Sequence, residues 1–534
     1  MASDSSNPDY IVIGGGSSGA VLAARLTEDA NIKVVLIEAG GEQSNPWIHV
    51  PLGYGKLFRN PAVNWMYSGV PEPGLNDRTI YHPRGKVLGG SSAVNGLLYV
   101  RGQRDDFDHW AQIGCRGWSF DDILPYFRKA ERRTAGGNEF RGDSGPQPIS
   151  LPQSTDELCD AYIDAWRQDG LPYNEDFNGS TQEGTGYYES TQLNGIRYST
   201  ASSYLRKARR RSNLKIITHA LATRIVFDGK RAVGIRYERH GQEHEIRATR
   251  EVVISTGAIA TPQLLELSGI GDGDRLNRLG VSVVHHSPAI GERFQDHLQV
   301  RCVYESNSGN TVNARYNNVF HRLGIGIEYA LKRTGPLAVA GAYAGCFYRT
   351  ENHLDTPDMQ SLFIMFSVRK MGDRFDDFSG FTATCYQLRP ESRGHVHAIS
   401  PDIRQRPAIF GNYLATETDR RVTIEGLRRL RKIMRNPAMA RHVKREVDPA
   451  PDTESDEQLL AYIRSTASTV YHPSSTCAMG ARDGDPCDPQ LRVRGVSGLR
   501  VCDASVIPAM TSGNLNAVAI MIGEKTADLL KTGQ

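Results

Sequence analysis

The stretch VYHPSSTCAMG, from Val470 to Gly480, carries a single histidine, His472, set against Pro473. Imidazole titrates nearer to neutral pH than any other side chain, so it suits the removal of a proton from a weakly acidic hydroxyl. A histidine beside proline in a Ser/Thr-rich segment is also what a packed, structural imidazole looks like. The fragment alone leaves both readings open. Cys477, in the same stretch, has no base partnered with it in the sequence and reads as packed. The chain has 15 histidines. A second group, His285, His286, Asp296 and His297, invites a metal-site reading. Its spacing matches no standard ligand set, so no metal is expected and these residues read as structural.

What a base at His472 could serve depends on what else the chain holds. DYIVIGGGSSGAVLAARLTEDANIKVVLIEAG begins at Asp9. Tyr10 to Ile13 is an apolar run ending at Gly14, the pattern of a buried parallel strand. Gly14, Gly16 and Gly19 spell GxGxxG, Ala20 to Leu26 favours helix, and Lys33 to Ile37 reads as a second buried strand ending at Glu38. Gly14 permits the sharp turn, Gly16 lets the backbone approach a pyrophosphate, and Gly19 lets helix and strand pack closely. The helix N-terminus then offers its free N–H groups to phosphates. Glu38, about twenty positions beyond Gly19, suits a carboxylate holding ribose hydroxyls. It would repel a 2′-phosphate, which argues against NADP. The unit binds a dinucleotide but does not distinguish NAD from FAD.

Two further stretches bear on that choice. PRGKVLGGSSAVNGLLYVRG, from Pro83, contains Gly89, Gly90, Ser91 and Ser92. Such a loop can lie flat against a ring or a phosphate, or serve as a simple turn. STGAIATPQLLELSGIG, from Ser255, follows a strand at Val252 to Ile254. Pro262 is expected in the first turn of a helix carrying Leu264, Leu265 and Leu267.

These motifs, together with IGERFQDH, VYHPSSTCAMG and LRVCDASVIPAMTSGNLNAVAIMIGEKTADLL, run in one order along nearly the whole chain. The sequence thereby resembles the glucose–methanol–choline oxidoreductases, which use FAD. LYVRGQRDDFDHWA looks most like their bacterial choline-dehydrogenase-like branch. The resemblance implies that Gly14, Gly16, Ser18 and Gly19 hold the pyrophosphate and Glu38 the adenosine ribose. Val87, Gly90, Ser91, Asn95 and Gly96 would line the isoalloxazine ring and ribityl chain. Backbone at Ala222 would meet the adenine, Asp503 and Ala504 would sit near the ribityl–phosphate end, and Asn514 by the ring. In some relatives a histidine at the Val94 position bonds the flavin; valine has no nucleophile, so non-covalent FAD is implied.

The implied reaction is hydride transfer from an alcohol to flavin N5, with His472 as the base. Asn514 cannot be a base, but its amide can orient the alcohol oxygen. A primary alcohol, aliphatic or benzylic, going to the aldehyde is the expected class, with oxygen or a quinone as electron acceptor. The alternatives are an NAD-dependent dehydrogenase and a flavoprotein of this fold with lyase or decarboxylase activity. Retention of both His472 and Asn514 argues against the latter. Relatives usually read HPxGT, whereas Ser475 stands here in place of the glycine. That raises the question of whether the backbone needs a positive φ at this point.

Length and composition set the frame. With 534 residues and 59.0 kDa the chain exceeds one ordinary domain. A hydrophobic content of 39% and a charged content of 23% suit a globular protein. A net charge of +3 gives no case for nucleic-acid binding. No apolar run reaches the ~18 residues of a membrane span. The polar start MASDSSNPDY lacks a signal-peptide core, so a cytoplasmic location is expected. The basic run Arg206, Lys207, Arg209, Arg210 and Arg211 is expected to complement the C-terminal dipole of the helix that YSTASSYL opens, with weak contact to an anionic membrane surface as the other reading. The 8 cysteines are scattered without a CxxC pair and read as reduced, packed thiols.

The expected fold class is α/β. A discontinuous Rossmann-like FAD-binding domain would take residues 1–155, 210–298 and 465–534, and a substrate-binding domain residues 156–209 and 299–464. ATRIVFDGKRAVGIRYERHGQEHEIRATREVVIS reads as a strand meander. QVRCVYES, DMQSLFIMFS and TATCYQLRPESRGHVHAI read as strands of an antiparallel sheet. An amphipathic helix bearing Ile424, Leu427, Leu430 and Ile433 would cover it.

Overall fold

The computed structural model describes residues 7–309, 311–370 and 372–533. The apolar run Tyr10–Ile13 is a fully buried strand at the centre of a five-stranded sheet. Its neighbours are Val34–Ile37 and Glu251–Ile254, flanked in turn by Leu214–Ile217 and Leu499–Val501, and every pairing is parallel. Burial on both faces is why the strands Tyr10–Ile13 and Val34–Ile37 are apolar throughout, with no polar alternation. The helix Ser17–Leu26 leaves the first strand so closely that a Cβ on Gly19 would stand 2.0 Å from the Gly14 carbonyl oxygen. It packs against the C-terminal helix Asn516–Thr532, so the two ends of the chain share one core. The expected meander follows as Ala220–Asp228, Arg231–Arg239 and Gln242–Arg247, antiparallel throughout.

A second, seven-stranded sheet runs in the order Val443–Asp448, Leu298–Ser306, Gly380–Gln387, Met359–Ile364, Ala344–Tyr348, Gly184–Tyr187, with Ser468–Thr469 added beside Leu298. Its pairings are antiparallel. One face carries Val300, Cys302, Phe363 and Phe381 into an apolar cluster with the helices Glu157–Gln168 and Glu417–Met434. The stripe Ile424, Leu427, Leu430 and Ile433 is buried there, as its spacing requires. The opposite face contributes Gln299, Leu362 and Ile364 to the wall of a cleft. The helix Val319–Lys332 behaves differently: it buries Ile325 and Tyr329 yet turns Phe320, Leu323 and Leu331 outward, 79%, 63% and 79% exposed.

Two local expectations are corrected. Pro262 lies inside the helix Gly257–Leu267, not in its first turn. Proline removes the donor that would have reached the Ala258 carbonyl, and Thr476 Oγ1 donates to that oxygen instead at 2.7 Å. The basic run serves its own helix only in part, with Arg206 and Lys207 in the last turn. Arg211 Nη1 donates to the Ala24 carbonyl near the C-terminus of the helix Ser17–Leu26, and Arg209 pairs with Glu42 at 2.7 Å. All the cysteines are buried and unbridged. Among the described residues, no helix is long and apolar enough to cross a membrane.

Candidate active site

The carboxyl ends of the parallel strands open into a cleft of about 340 Å³, the place where open α/β sheets bind ligands. Gly14, Gly16, Ser18, Glu38 and Ala222 line it. So do Gly90, Ser91, Asn95 and Gly96, followed by Asp503, Ala504, His472 and Asn514. Two residues of the expected set do not. Gly19 sits beneath the cleft, where its missing side chain lets helix and strand close. Val87 turns its side chain into a small apolar cluster with Ile48, Leu57, Val63 and Ala93.

The cleft suits a dinucleotide. The helix Ser17–Leu26 starts at Gly16 with no side-chain cap, leaving its first N–H groups for an anion. A Cβ on Gly90 would lie 2.7 Å from Gly16 Cα, and Gly90 has a φ of +51°. The two glycine loops therefore touch, and only glycine permits it. Glu38 accepts N–H bonds from Gly15 at 2.9 Å and Gly40 at 2.7 Å. Burial pushes its pKa up to about 7. Each oxygen keeps lone-pair capacity for a ribose hydroxyl. Asp503 is occupied by the protein itself: Gly257 N and Thr261 Oγ1 donate to one oxygen, Ser505 N and Oγ to the other.

His472 is 8% exposed at the wall of this cleft. Its Nδ1 lies 2.9 Å from His297 Nδ1, and its Nε2 lies 3.1 Å from Asn514 Nδ2. The tautomers follow from the far end. His297 Nε2 lies 2.8 Å from the Leu388 carbonyl, which only accepts, so that nitrogen carries the hydrogen. Neutral His297 then accepts at Nδ1, and His472 donates from Nδ1. The lone pair of His472 is thereby placed on Nε2, where the Asn514 amide donates to it. The amide is itself oriented, because Gln360 Nε2 donates to Asn514 Oδ1 at 3.4 Å while Tyr386 donates to Gln360 Oε1. Burial first, then His297 and Arg84, holds the pKa of His472 well below the ordinary histidine value. Burial likewise lowers His297 to about 4. Both rings are neutral at pH 7, which is what this hydrogen-bond chain requires.

The family follows from comparison with known proteins. Residues 8–299 and 390–523 match the N- and C-terminal models of GMC oxidoreductase. The chain belongs to the GMC oxidoreductase family. It is 43% identical over 531 residues to the oxygen-dependent choline dehydrogenase of Serratia proteamaculans (strain 568), covering 98% of this chain and 95% of that one. It is 39% identical to the mitochondrial choline dehydrogenase of Mus musculus, covering 98% and 89%. Among solved structures, pyridoxine 4-oxidase from Mesorbium loti has a TM-score of 0.90 at 29% identity over 98% and 99% of the two chains. Formate oxidase reaches 0.92 at 26% identity over 100% and 99%. This GMC oxidoreductase is thus a FAD-dependent enzyme of CH–OH donors, choline-dehydrogenase-like in sequence, and its cofactor is FAD in place of the alternative NAD.

Around His472 the GMC oxidoreductase uses residues that motif reading set aside. Asp296 Oδ1 accepts from the His472 backbone N–H at 2.8 Å, while its other oxygen takes the hydroxyls of Tyr413 and Thr469. Asp296 and His297 frame the imidazole. His285 and His286 lie elsewhere, in a two-stranded ribbon with Ile270–Gly271. The question raised by Ser475 has a clear answer. It adopts a φ of +73°, the left-handed form that glycine favours, and Gln295 Nε2 donates to its Oγ at 2.9 Å. Tyr471 is also left-handed, at +69°, with its carbonyl held by Arg84 Nη2 at 2.7 Å. Strained residues on both sides of His472 over-determine where its ring points. Glu292, His395 and His397 also cluster, but both nitrogens of His397 already face the carboxylates of Glu266 and Glu292 at 2.8 and 2.9 Å.

Proposed function

We propose that this enzyme oxidises a primary alcohol to the aldehyde, with His472 removing the hydroxyl proton. The observation that carries the reading is the hydrogen-bond chain that leaves a lone pair on His472 Nε2 next to the Asn514 amide. A substrate hydroxyl entering between them donates its proton to Nε2 and accepts from Asn514 Nδ2. Bound FAD supplies the oxidant that takes the hydride from the carbinol carbon. As the C–H bond breaks, the O–H proton moves to His472 and the carbonyl forms. The new imidazolium keeps its Nδ1–H on His297, whose lone pair points at the charge. Asn514 holds the oxygen throughout, so reactant and base stay aligned.

Gly14, Gly16 and Ser18 with the helix start would hold the FAD pyrophosphate, and Glu38 the ribose. Gly90, Ser91, Asn95 and Gly96 would lie along the ring and ribityl chain, with Ala222 at the adenine and Asp503 and Ala504 near the ribityl phosphate. Val94 lines the cleft without a nucleophile, in keeping with non-covalent binding. Oxygen is the proposed electron acceptor because close relatives are named as oxygen-dependent. The test is anaerobic. A primary alcohol should bleach the yellow protein, and admitting air should restore the colour. Recovery only with a quinone would replace oxygen as the acceptor. His472→Ala is expected to keep its flavin spectrum and to reduce at least ~10²-fold more slowly. Reduction at the wild-type rate would remove His472 from the role of base.

A further inference from the structure

The inner face of the seven-stranded sheet forms one wall of the cleft, and its antiparallel register orders the residues there. Residues directly opposite on adjacent strands share a face. Gln299, Tyr386 and Gln360 make one row; Arg301, Thr384 and Leu362 the next; Val303, Thr382 and Ile364 the third. Gln299, Leu362 and Ile364 line the cleft, and Gln360 holds Asn514. The register therefore puts Arg301 and Thr384 on the cleft face of the sheet, one row from that of Gln360 and behind the residues that line the cleft. The rows are about 7 Å apart along the strands, and Arg301 lies two strands, about 10 Å, across from Gln360.

Nothing in the described protein uses this side chain. Nε and Nη2 of Arg301 are buried without a hydrogen-bond partner, and so is the hydroxyl of Thr384 directly opposite. Asp376 and Asp448 act on Arg301 only at longer range, with no ion pair. Buried guanidinium donors without acceptors are costly, so an acceptor is expected from outside the chain. The surroundings reinforce the sign. Arg84, half-buried, and Arg197, buried, hydrogen-bond to carbonyl and amide oxygens, while Asp296 acts on Arg84 only at longer range. The carboxylates that line the cleft, Glu38 and Asp503, are each engaged by backbone N–H groups.

We propose that Arg301 and Thr384 form an anion subsite, and that the physiological substrate is an alcohol carrying a carboxylate or similar oxyanion a few carbons from the carbinol. This rests on the alcohol-oxidation reading and names its substrate class. The planar guanidinium fork matches a carboxylate with two N–H donors, and the Thr384 hydroxyl adds a third. The rival is a quaternary ammonium alcohol, which the names of the relatives suggest. Such a cation needs a carboxylate or ring faces. Tyr54, Phe58, Trp65, Tyr67 and Tyr471 do line the cleft, together with the cationic Arg84.

The test reads binding separately from turnover. The FAD-loaded enzyme is titrated with butanoate, butanamide and tetramethylammonium, following the flavin absorption spectrum. Butanoate should bind most tightly. Its dissociation constant should rise at least 10-fold in Arg301→Met and about 3-fold in Thr384→Val, with butanamide unchanged in both. Should Arg301→Met fail to fold, Arg301→Gln, which keeps volume and polarity, takes its place. Unchanged butanoate binding in these variants, or tighter binding of tetramethylammonium than of butanoate, overturns the proposal. Anaerobic bleaching by butan-1-ol is measured alongside. Bleaching with Arg301-independent butanoate binding sinks the subsite alone. Arg301-dependent butanoate binding with no bleaching by butan-1-ol or 4-hydroxybutanoate sinks the alcohol-oxidation reading and leaves the subsite standing.

Discussion

His472 owes its orientation to His297, a residue 175 positions away in the chain. If the Leu388 carbonyl sets the tautomer through His297, then His297→Leu leaves the Nδ1 proton of His472 without an acceptor. The ring can then carry its hydrogen on either nitrogen. Flavin reduction by substrate should slow by about 10-fold or more with the FAD spectrum intact. His297→Gln, whose amide oxygen can accept from Nδ1, should recover part of the loss. Equal rates in wild type and His297→Leu would show that His297 merely fills space. His472 was legible in the sequence because it sits in a short local motif. His297 was not, because its partner is brought to it only by the fold, and the QDH segment alone reads as a turn. Ser475 lay between these cases: the substitution was visible, but its left-handed backbone and its bond from Gln295 depend on a contact between two distant loop segments that no local pattern encodes.

The elements were easier to read than the contacts between them. Strands at Tyr10 and Val34, the meander and the covering helix all announce themselves by period and by turn residues. The start of the helix Gly257–Leu267 did not, because proline is ordinarily harmless only in a first turn. Thr476, arriving from the His472 segment, supplies the missing donor and lets the helix begin earlier. The meeting of the two glycine loops was equally hidden, since Gly16 and Gly90 lie in separate motifs. Gly90→Ala should separate them: its Cβ would stand 2.7 Å from Gly16 Cα, at a φ that disfavours any side chain. The purified variant is expected to be folded by circular dichroism but largely colourless. A yellow variant with wild-type flavin content would mean that the loops part without consequence.

Across the whole molecule, buried ionisable groups of opposite tendency govern acid stability. Burial lowers His82 to about 3 and His297 to about 4, and His472 falls well below its usual value. Unfolding frees each to take a proton near 6.5, so their contribution is present above that pH and withdraws as the pH falls below it. Burial raises Glu38, Glu72 and Glu266 to about 7. These keep a proton in the folded state that the unfolded chain releases above about 4.5, so their contribution is full at low pH and is lost as the pH rises through 7. Between pH 6.5 and 4.5 the two sets oppose each other, at about 1.4 kcal/mol per pH unit for each fully shifted group. Calorimetry should find a nearly flat Tm across that window and a steep fall below it. A fall already steep between pH 6.5 and 5 would show that the glutamates are not holding protons.

The central sheet that cups the cofactor takes its first strand from Tyr10–Ile13 and its last from Leu499–Val501, and the helix Asn516–Thr532 seals it. During synthesis, the ribosome must therefore deliver almost the entire polypeptide before this pocket has all its walls. Flavin loading becomes a late event, and a nascent chain stalled ahead of residue 499 emerges with a core still open to chaperones and proteases.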